Sequence, residues 1–368
     1  MSFITSIGTA NPIHKLRQSD IAEFMVRAMD LNADDTRKLR AIFKSSGIKT
    51  RYSVIADYGK THNFSFFENK AKMESFPTTK SRMDMFRRYA LPLSIEATTK
   101  CLNQIDNFRK DSITHLILVS CTGMYAPGLD IDLVKALGLN SNIKRTQVNF
   151  MGCYAAFTAM KLGHEACISN SKAKVLILCT ELCTIHFQKE ATEDNFLANA
   201  LFGDGSAALL MESTTTSSKS LEPKNFHCDL ATEGEHDMTW SIGDFGFEMR
   251  LSSYVPKVIQ NGIRDFTAKL LSNINLSKEE ISFFAIHSGG RRILQVIEKE
   301  LEISTDQNRP AYNVLENFGN MSSPTVLFAL NEIFLNLSPA DHGNKILSIA
   351  FGPGLTMESM VLNINFNK

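Results

Sequence analysis

Two kinds of ending recur in this chain, in the same order, each attached to a short apolar run. The first closes Leu118-Val119-Ser120-Cys121-Thr122-Gly123 and again Ala285-Ile286-His287-Ser288-Gly289-Gly290, where the apolar residues give way to polar ones and glycine. The second is an F-G-x-G turn, at Phe202-Gly203-Asp204-Gly205 and at Phe351-Gly352-Pro353-Gly354, each just ahead of another apolar run. Taken singly each is an ordinary turn, because glycine permits backbone angles that other residues resist. Repeated in parallel order, they predict a duplicated α/β unit.

The other apolar runs fit that plan. His115–Val119, Val175–Leu178, Ala207–Met211, Phe283–Ile286, Ile346–Ile349 and Met360–Ile364 read as strands, with helical segments between several of them. Such alternation predicts strands covered by helices on both faces. The first 110 residues read as mostly helical. Ser19-Asp20 is placed to cap a helix with Ile21, Phe24, Met25 and Ala28 on one face. A second helix is predicted from Asp34 to Ser46, stopped by Gly47, and a third from about Met83 to Leu102. The Ser/Thr tract at 213–220 reads as a surface loop and a seam, giving halves of 1–220 and 221–368.

Charge narrows the function. Lys+Arg and Asp+Glu both total 39, which argues against nucleic-acid or membrane-surface binding driven by bulk charge. No run approaches the roughly 18 apolar residues of a membrane span. Met1–Thr5 has neither a basic start nor an apolar core, so no leader is predicted. Seven cysteines without paired spacing suit reduced thiols and a cytoplasmic location better than a disulfide framework. Cys179 and Cys183 have no matching Cys/His pair at ligand spacing, so no metal is expected.

Three polar residues sit where chemistry could occur. Cys153, in Asn149-Phe150-Met151-Gly152-Cys153-Tyr154-Ala155, follows a glycine and opens a helical segment. The positive end of a helix macrodipole favours thiolate over thiol. A buried packing role remains open from this window alone. His287 stands where a buried strand gives way to glycines, the end at which α/β folds place their sites. A structural, hydrogen-bonded histidine is the alternative there. Asn320, in Gly319-Asn320-Met321-Ser322-Ser323, precedes the apolar helix around Val326–Leu330 and could equally be a cap or turn.

With these runs in view, the chain resembles the type III polyketide synthases, the chalcone and stilbene synthase family of the thiolase-fold superfamily, in a form similar to bacterial members. The match runs from Ile48-Lys49-Thr50-Arg51-Tyr52 to Gly352-Pro353-Gly354-Leu355-Thr356. It includes the Gly152-Cys153-Tyr154-Ala155 run, LFGDG at 201–205, H-x-G-G at 287–290, G-N-M-S-S at 319–323 and F-G-P-G-L-T at 351–356. The resemblance implies a thiolase-like α/β fold of duplicated βαβαβαββ halves in a five-layer αβαβα core. It implies that Cys153 carries an acyl group from an acyl-CoA starter. His287 and Asn320 would then assist decarboxylation of malonyl-CoA, with no cofactor and no metal, in a cytoplasmic homodimer.

Other positions carry over by the same resemblance. Phe202 matches a gatekeeper aromatic, and Met249 stands where plant members have a second gatekeeper Phe. Trp240 falls where plant members have a small Gly, so it would fill cavity volume. Cys121 replaces a Thr and, with Ser322, is expected at the pocket. Phe351, Gly352, Pro353 and Gly354 would wall the cyclisation cavity. Lys44, Lys49 and Arg51 are expected near CoA phosphates, and Gly289 and Gly290 would let CoA approach the backbone. Asp204 is expected to stabilise its turn. The loop residue that reaches into the partner subunit aligns with Ala126, so Met124 or Tyr125 would take that contact. The resemblance leaves two alternatives, a ketoacyl-ACP synthase III-like condensing enzyme and a non-catalytic acyl-CoA-binding scaffold. No Glu stands ahead of Cys153 in a setting that would suit hydroxymethylglutaryl-CoA synthase.

Overall fold

The computed structural model describes residues 1–69, 73–215 and 217–367. In chain order its strands are β1 (Phe3–Ala10), β2 (His14–Arg17), β3 (Thr50–Ser53), β4 (His115–Ser120), β5 (Lys144–Asn149), β6 (Lys174–Leu182), β7 (Asp204–Glu212), β8 (Lys219–Leu230), β9 (Met238–Gly243), β10 (Gly246–Leu251), β11 (Ile281–Ile286), β12 (Lys345–Gly352) and β13 (Thr356–Phe366). The α-helices are α1 (Gln18–Ala28), α2 (Ala33–Ser45), α3 (Thr79–Leu102), α4 (Leu129–Leu137), α5 (Ala155–Ser169), α6 (Glu193–Leu201), α7 (Val255–Ser272), α8 (Arg291–Leu301), α9 (Arg309–Phe318) and α10 (Pro324–Asn336).

Among the described residues, nine strands join in the order β11-β12-β13-β8-β1-β7-β6-β4-β5. The junction is thin: β1 and β8 meet through the single pair Ile4 and Leu221. Outward from it the two arms run β1-β7-β6-β4 and β8-β13-β12-β11, the same order of equivalent strands, with β5 added beyond β4. The repeated endings of the sequence are therefore equivalent strand ends in the two arms.

Side-chain alternation along these strands builds the layers. Leu116 and Leu118 of β4, Leu176 and Leu178 of β6, and Ala208 and Leu210 of β7 face a core shared with α1 to α4. Their neighbours Ile117, Val119, Val175, Ile177, Leu209 and Met211 face a second core with α5 and α10. Ala285, Ile346, Met360 and Leu362 of the other arm enter that same core from the opposite side. Phe284, Ile286, Leu347 and Ile349 turn to a third core with α7, α8 and α9. Helix, sheet, helix, sheet and helix thus stack as five layers, a thiolase-like fold. Runs apolar on both faces are the sequence trace of this double burial.

Several local expectations are corrected. The N-terminus is not purely helical: β1 lies at the centre of the sheet, buried along nearly its whole length. Gly8 is required there, since a Cβ would lie 2.2 Å from the Cys101 nitrogen of α3. Helix α1 starts at Gln18 behind Arg17, so Ser19 and Asp20 lie in its first turn and do not cap it. Helix α2 is capped by Asn32, whose side chain accepts from the backbone of Asp34 and Asp35. Strands β5 and β8 and the β9–β10 hairpin had not been anticipated. None of the described helices is long and apolar enough to cross a membrane.

Candidate active site

The polar residues converge at the carboxyl ends of the parallel strands, as expected for an α/β sheet. Strands β4, β5 and β6 run parallel and end at Ser120, Asn149 and Leu182. Their continuations bring Cys121, Cys153 and Cys183 to one cavity. Parallel strands β11 and β12 of the other arm deliver His287 and the 352–354 loop.

Glycines set the approach of the two arms. Gly152 has φ +82, and a Cβ on it would meet Pro353 Cδ at 2.4 Å. A Cβ on Gly352 would meet the Tyr154 ring at 2.5 Å and lie 3.3 Å from the Cys153 nitrogen. A second seam joins the LFGDG and GNMSS runs. Asn320 N donates to Leu201 O and Gly203 N to Asn320 O, both at 2.9 Å. A Cβ on Gly203 would strike Phe318 O at 2.6 Å, and one on Gly319 would strike Leu201 O at 2.7 Å. The turn glycines are thus sites of close backbone approach as well as bends.

This seam places Asn320. Its Oδ1 accepts from Ser322 N at 2.8 Å and from Thr325 Oγ1 at 3.4 Å, which assigns the amide orientation. Cys153 Sγ lies 3.9 Å from both Oδ1 and Nδ2, so the thiol can donate to the first or accept from the second. Cys153 lies just before α5, with Tyr154 as the cap residue. Burial pushes its thiol up to about 11, against the smaller downward pull of Ser322 and Asn320. Burial thus opposes the thiolate that the helix terminus favours.

His287 is 1% exposed, and neither ring nitrogen has a hydrogen-bond partner among the described residues. Burial drives its pKa down to about 3, so the imidazole is neutral. A buried, unpartnered imidazole is costly to leave that way, which marks His287 as more than packing.

The cavity is narrow, with about 60 Å³ open to the centre of a water-sized sphere. Cys121, Cys153, Phe202, Trp240, Met249, Ser322 and Pro353 all line it, together with Arg51. Phe351 does not reach it but packs, 2% exposed, in the third core. Of that turn only Pro353 is at the wall, while Gly352 and Gly354 shape the loop.

The three basic residues separate. Lys44 is exposed near the end of α2, and exposed Lys49 pairs with Glu316. Arg51 is instead buried, its Nε donating to Gln18 Oε1 at 2.8 Å and its Nη1 to Phe202 O. It braces the Phe202 backbone from within and is not among the exposed basic residues, unlike Lys44 and Lys49. Gly289 and Gly290 lead into α8. Arg291, not foreseen, lies against Gly47, a few residues beyond Lys44.

Two further features had been missed. Glu181 is fully buried behind the site and accepts from Cys121 N at 2.9 Å, Thr122 Oγ1 at 2.7 Å and Ser323 Oγ at 2.8 Å. It ties both arms together, and burial raises its pKa to about 7. A lone carboxylate ending the apolar run Val175–Leu182 was the available clue. His186 is the second. It stacks on Phe247 at 4.3 Å, accepts from Phe247 N at 2.9 Å and bonds Thr122 O at 2.7 Å. Trp240 Nε1 donates to Cys121 O at 2.8 Å. Together they clamp the β9–β10 hairpin over one side of the cavity. Asp204 accepts from Val54 N, Thr184 N and Thr184 Oγ1, holding the turn to its neighbours.

Residues 1–215 match the family described as chalcone and stilbene synthases, N-terminal domain, and residues 227–365 match its C-terminal domain. The chain is 29% identical over 369 residues to an "Alpha-pyrone synthesis polyketide synthase-like Pks18" of Mycobacterium tuberculosis, covering 99% of this chain and 91% of that protein. It is also 29% identical to "Probable polyketide synthase 1" of Dictyostelium discoideum, where 98% of this chain spans 11% of that protein. Among solved structures, PKS-I from the brown alga Ectocarpus siliculosus superposes with a TM-score of 0.91 at 26% identity, covering 98% of both chains. The C-terminal type III polyketide synthase domain of Steely1, from Dictyostelium, gives 0.90 at 29% identity, covering 98% of this chain and 99% of that one.

Proposed function

This chain belongs to the chalcone and stilbene synthase family, and from that membership we propose that it is a type III polyketide synthase working through Cys153, His287 and Asn320. The observation that carries the proposal is the contact of the Asn320 amide with Cys153 Sγ, 3.9 Å from both Oδ1 and Nδ2, with His287 buried at the end of β11 and without a hydrogen-bond partner among the described residues.

Entry of an acyl-CoA starter brings proton transfer from Cys153 Sγ to His287. The thiolate and imidazolium stabilise each other, offsetting the burial that disfavours each alone. Sγ attacks the thioester carbonyl, the carbon–sulfur bond to CoA breaks, and the departing CoA sulfur takes the proton from His287. His287 is neutral again, as its depressed pKa requires, and donates a hydrogen bond together with Asn320 Nδ2. Both donors meet the thioester oxygen of malonyl-CoA. Its carbon–carboxylate bond breaks, CO2 leaves, and the electron pair becomes an enolate held at that oxygen. The enolate carbon attacks the Cys153 thioester and Sγ departs, leaving the chain two carbons longer on CoA. Cyclisation to a pyrone, resorcinol or related aromatic product completes the reaction, with no metal or redox cofactor.

Lys44 and Arg291, near the glycine entry to α8, form the surface proposed for CoA phosphates. The working unit is proposed to be a homodimer. Edge strand β5 is exposed at five of its six residues, and Met124 beside it is 43% exposed.

The test is incubation with malonyl-CoA and acyl-CoA without any carrier protein. We expect a polyketide from the native chain and none from Cys153→Ala. We also expect malonyl-CoA decarboxylation to fail in His287→Ala and Asn320→Ala. Condensation by Cys153→Ala, or normal decarboxylation in both other variants, overturns the reading.

A further inference from the structure

Arg51, on β3, is a buried charge that the proposed steps do not use. It is 3% exposed, no carboxylate pairs with it among the described residues, and its Nη2 has no partner there. Such burial is costly, and an apolar side chain of similar volume would stabilise the fold as well or better. Stability therefore does not account for an arginine at this position.

The guanidinium holds the end of α6. A helix leaves its last carbonyls without helical partners, and here three successive ones are met by three different segments. Gln18 Nε2 of α1 donates to Ala200 O at 2.7 Å, Asn320 N to Leu201 O at 2.9 Å, and Arg51 Nη1 to Phe202 O. Arg51 Nε also donates to Gln18 Oε1 at 2.8 Å, so one planar fork ties the first of these donors to the third carbonyl. The donor between them is the backbone of Asn320. The stem of Arg51 lies against the same turn: a Cβ on Gly319 would be 2.8 Å from Arg51 Cδ and 3.0 Å from Cγ. Next along β3, Thr50 Oγ1 donates to Asn317 O at 2.9 Å. Strand β3 thus holds the segment that leads into Asn320.

We propose that Arg51 is a positioning residue for malonyl-CoA decarboxylation: by tying Phe202 O to Gln18 it fixes the turn from which Asn320 donates to the enolate oxygen. This rests on the polyketide synthase reading of Asn320. A lysine carries one ammonium in place of the fork and does not reproduce the planar bridge between Gln18 Oε1 and Phe202 O.

The experiment compares the native chain with Arg51→Met, which keeps the stem, and Arg51→Lys, which keeps the charge and guards against misfolding of the first. It reads malonyl-CoA decarboxylation as kcat and KM, acylation of Cys153 by an acyl-CoA through intact-protein mass, and denaturant unfolding. We expect kcat to fall about tenfold in both variants with KM within about twofold, short of the roughly 10²–10³ that outright loss of an oxyanion donor costs. Acylation of Cys153, which makes no use of Asn320 in the proposed mechanism, should fall by less than about threefold. Arg51→Met should be no less stable than the native chain, which separates the loss of rate from a loss of fold. A native kcat in either folded variant, a loss carried by KM, an equal loss of acylation, or a kcat that only follows stability in both variants overturns the proposal. A native chain that decarboxylates no malonyl-CoA overturns the polyketide synthase reading and this inference with it. If the native chain decarboxylates and the variants match it, this inference falls alone.

Discussion

Cys153 and Glu181 show how burial sets the charge of this site. The thiol is held up at about 11 and the imidazole of His287 down at about 3, both by loss of water. In the proposed mechanism each ionises only together with the other, as thiolate and imidazolium. Glu181 follows the same physics with a measurable effect on stability. Its pKa rises from 4.5 to about 7 on folding. Between those values the native chain keeps a proton that the unfolded chain gives up. This contribution is therefore complete below about pH 4.5 and is lost as pH rises through 7. We expect Glu181→Gln to flatten the decline, so that denaturant unfolding of variant and native chain diverges by about 2 kcal/mol between pH 5 and 8. Parallel pH curves would show that Glu181 is not protonated in the native state. The candidate nucleophile was legible in the sequence from its own glycine-framed window. Glu181 was not, because nothing in its neighbourhood says that Ser323, 142 residues away, completes its hydrogen bonds.

At the scale of elements, two interlocking turns fix the position of Asn320. Gly203→Ala would press a Cβ against the Phe318 carbonyl, a backbone atom with little freedom to move. Gly205→Ala meets the Met321 sulfur, the adaptable part of a flexible side chain. We expect Gly203→Ala to cost about 2–4 kcal/mol and to impair malonyl-CoA decarboxylation by displacing Asn320. Gly205→Ala should cost distinctly less, and chemical denaturation of both variants checks the order. The β9–β10 hairpin carries a different expectation. Trp240→Ala removes an indole from the wall and its bond to Cys121 O. Mass spectrometry should then find products with more malonyl-derived units or bulkier starters, and an unchanged product set would remove Trp240 from the size limit. Sequence periodicity gave the long helices and doubly buried strands well. It missed β1, whose Thr, Ser and Gly residues dilute the apolar pattern; Phe351, assigned to the cavity wall by resemblance, packs in the third core.

For the whole molecule, the two arms meet through one residue pair in the sheet and are bound by the shared core around α5 and α10. The open edge at β5 is where a second copy is expected. Sedimentation should give twice the 41.1 kDa chain mass, and Met124→Arg should weaken that association. A monomer at micromolar concentration would refute the dimer.

The chain by itself determined the α/β duplication, the family resemblance and the identity of the three polar residues. Those depend on local features: strand composition, glycine turns and short motifs read in order. Tertiary structure alone decided that Arg51 is a buried brace and that Glu181 joins the arms. Burial and hydrogen bonding between distant segments set those properties. They depend on which residues meet in space, and no local window of the sequence contains both partners.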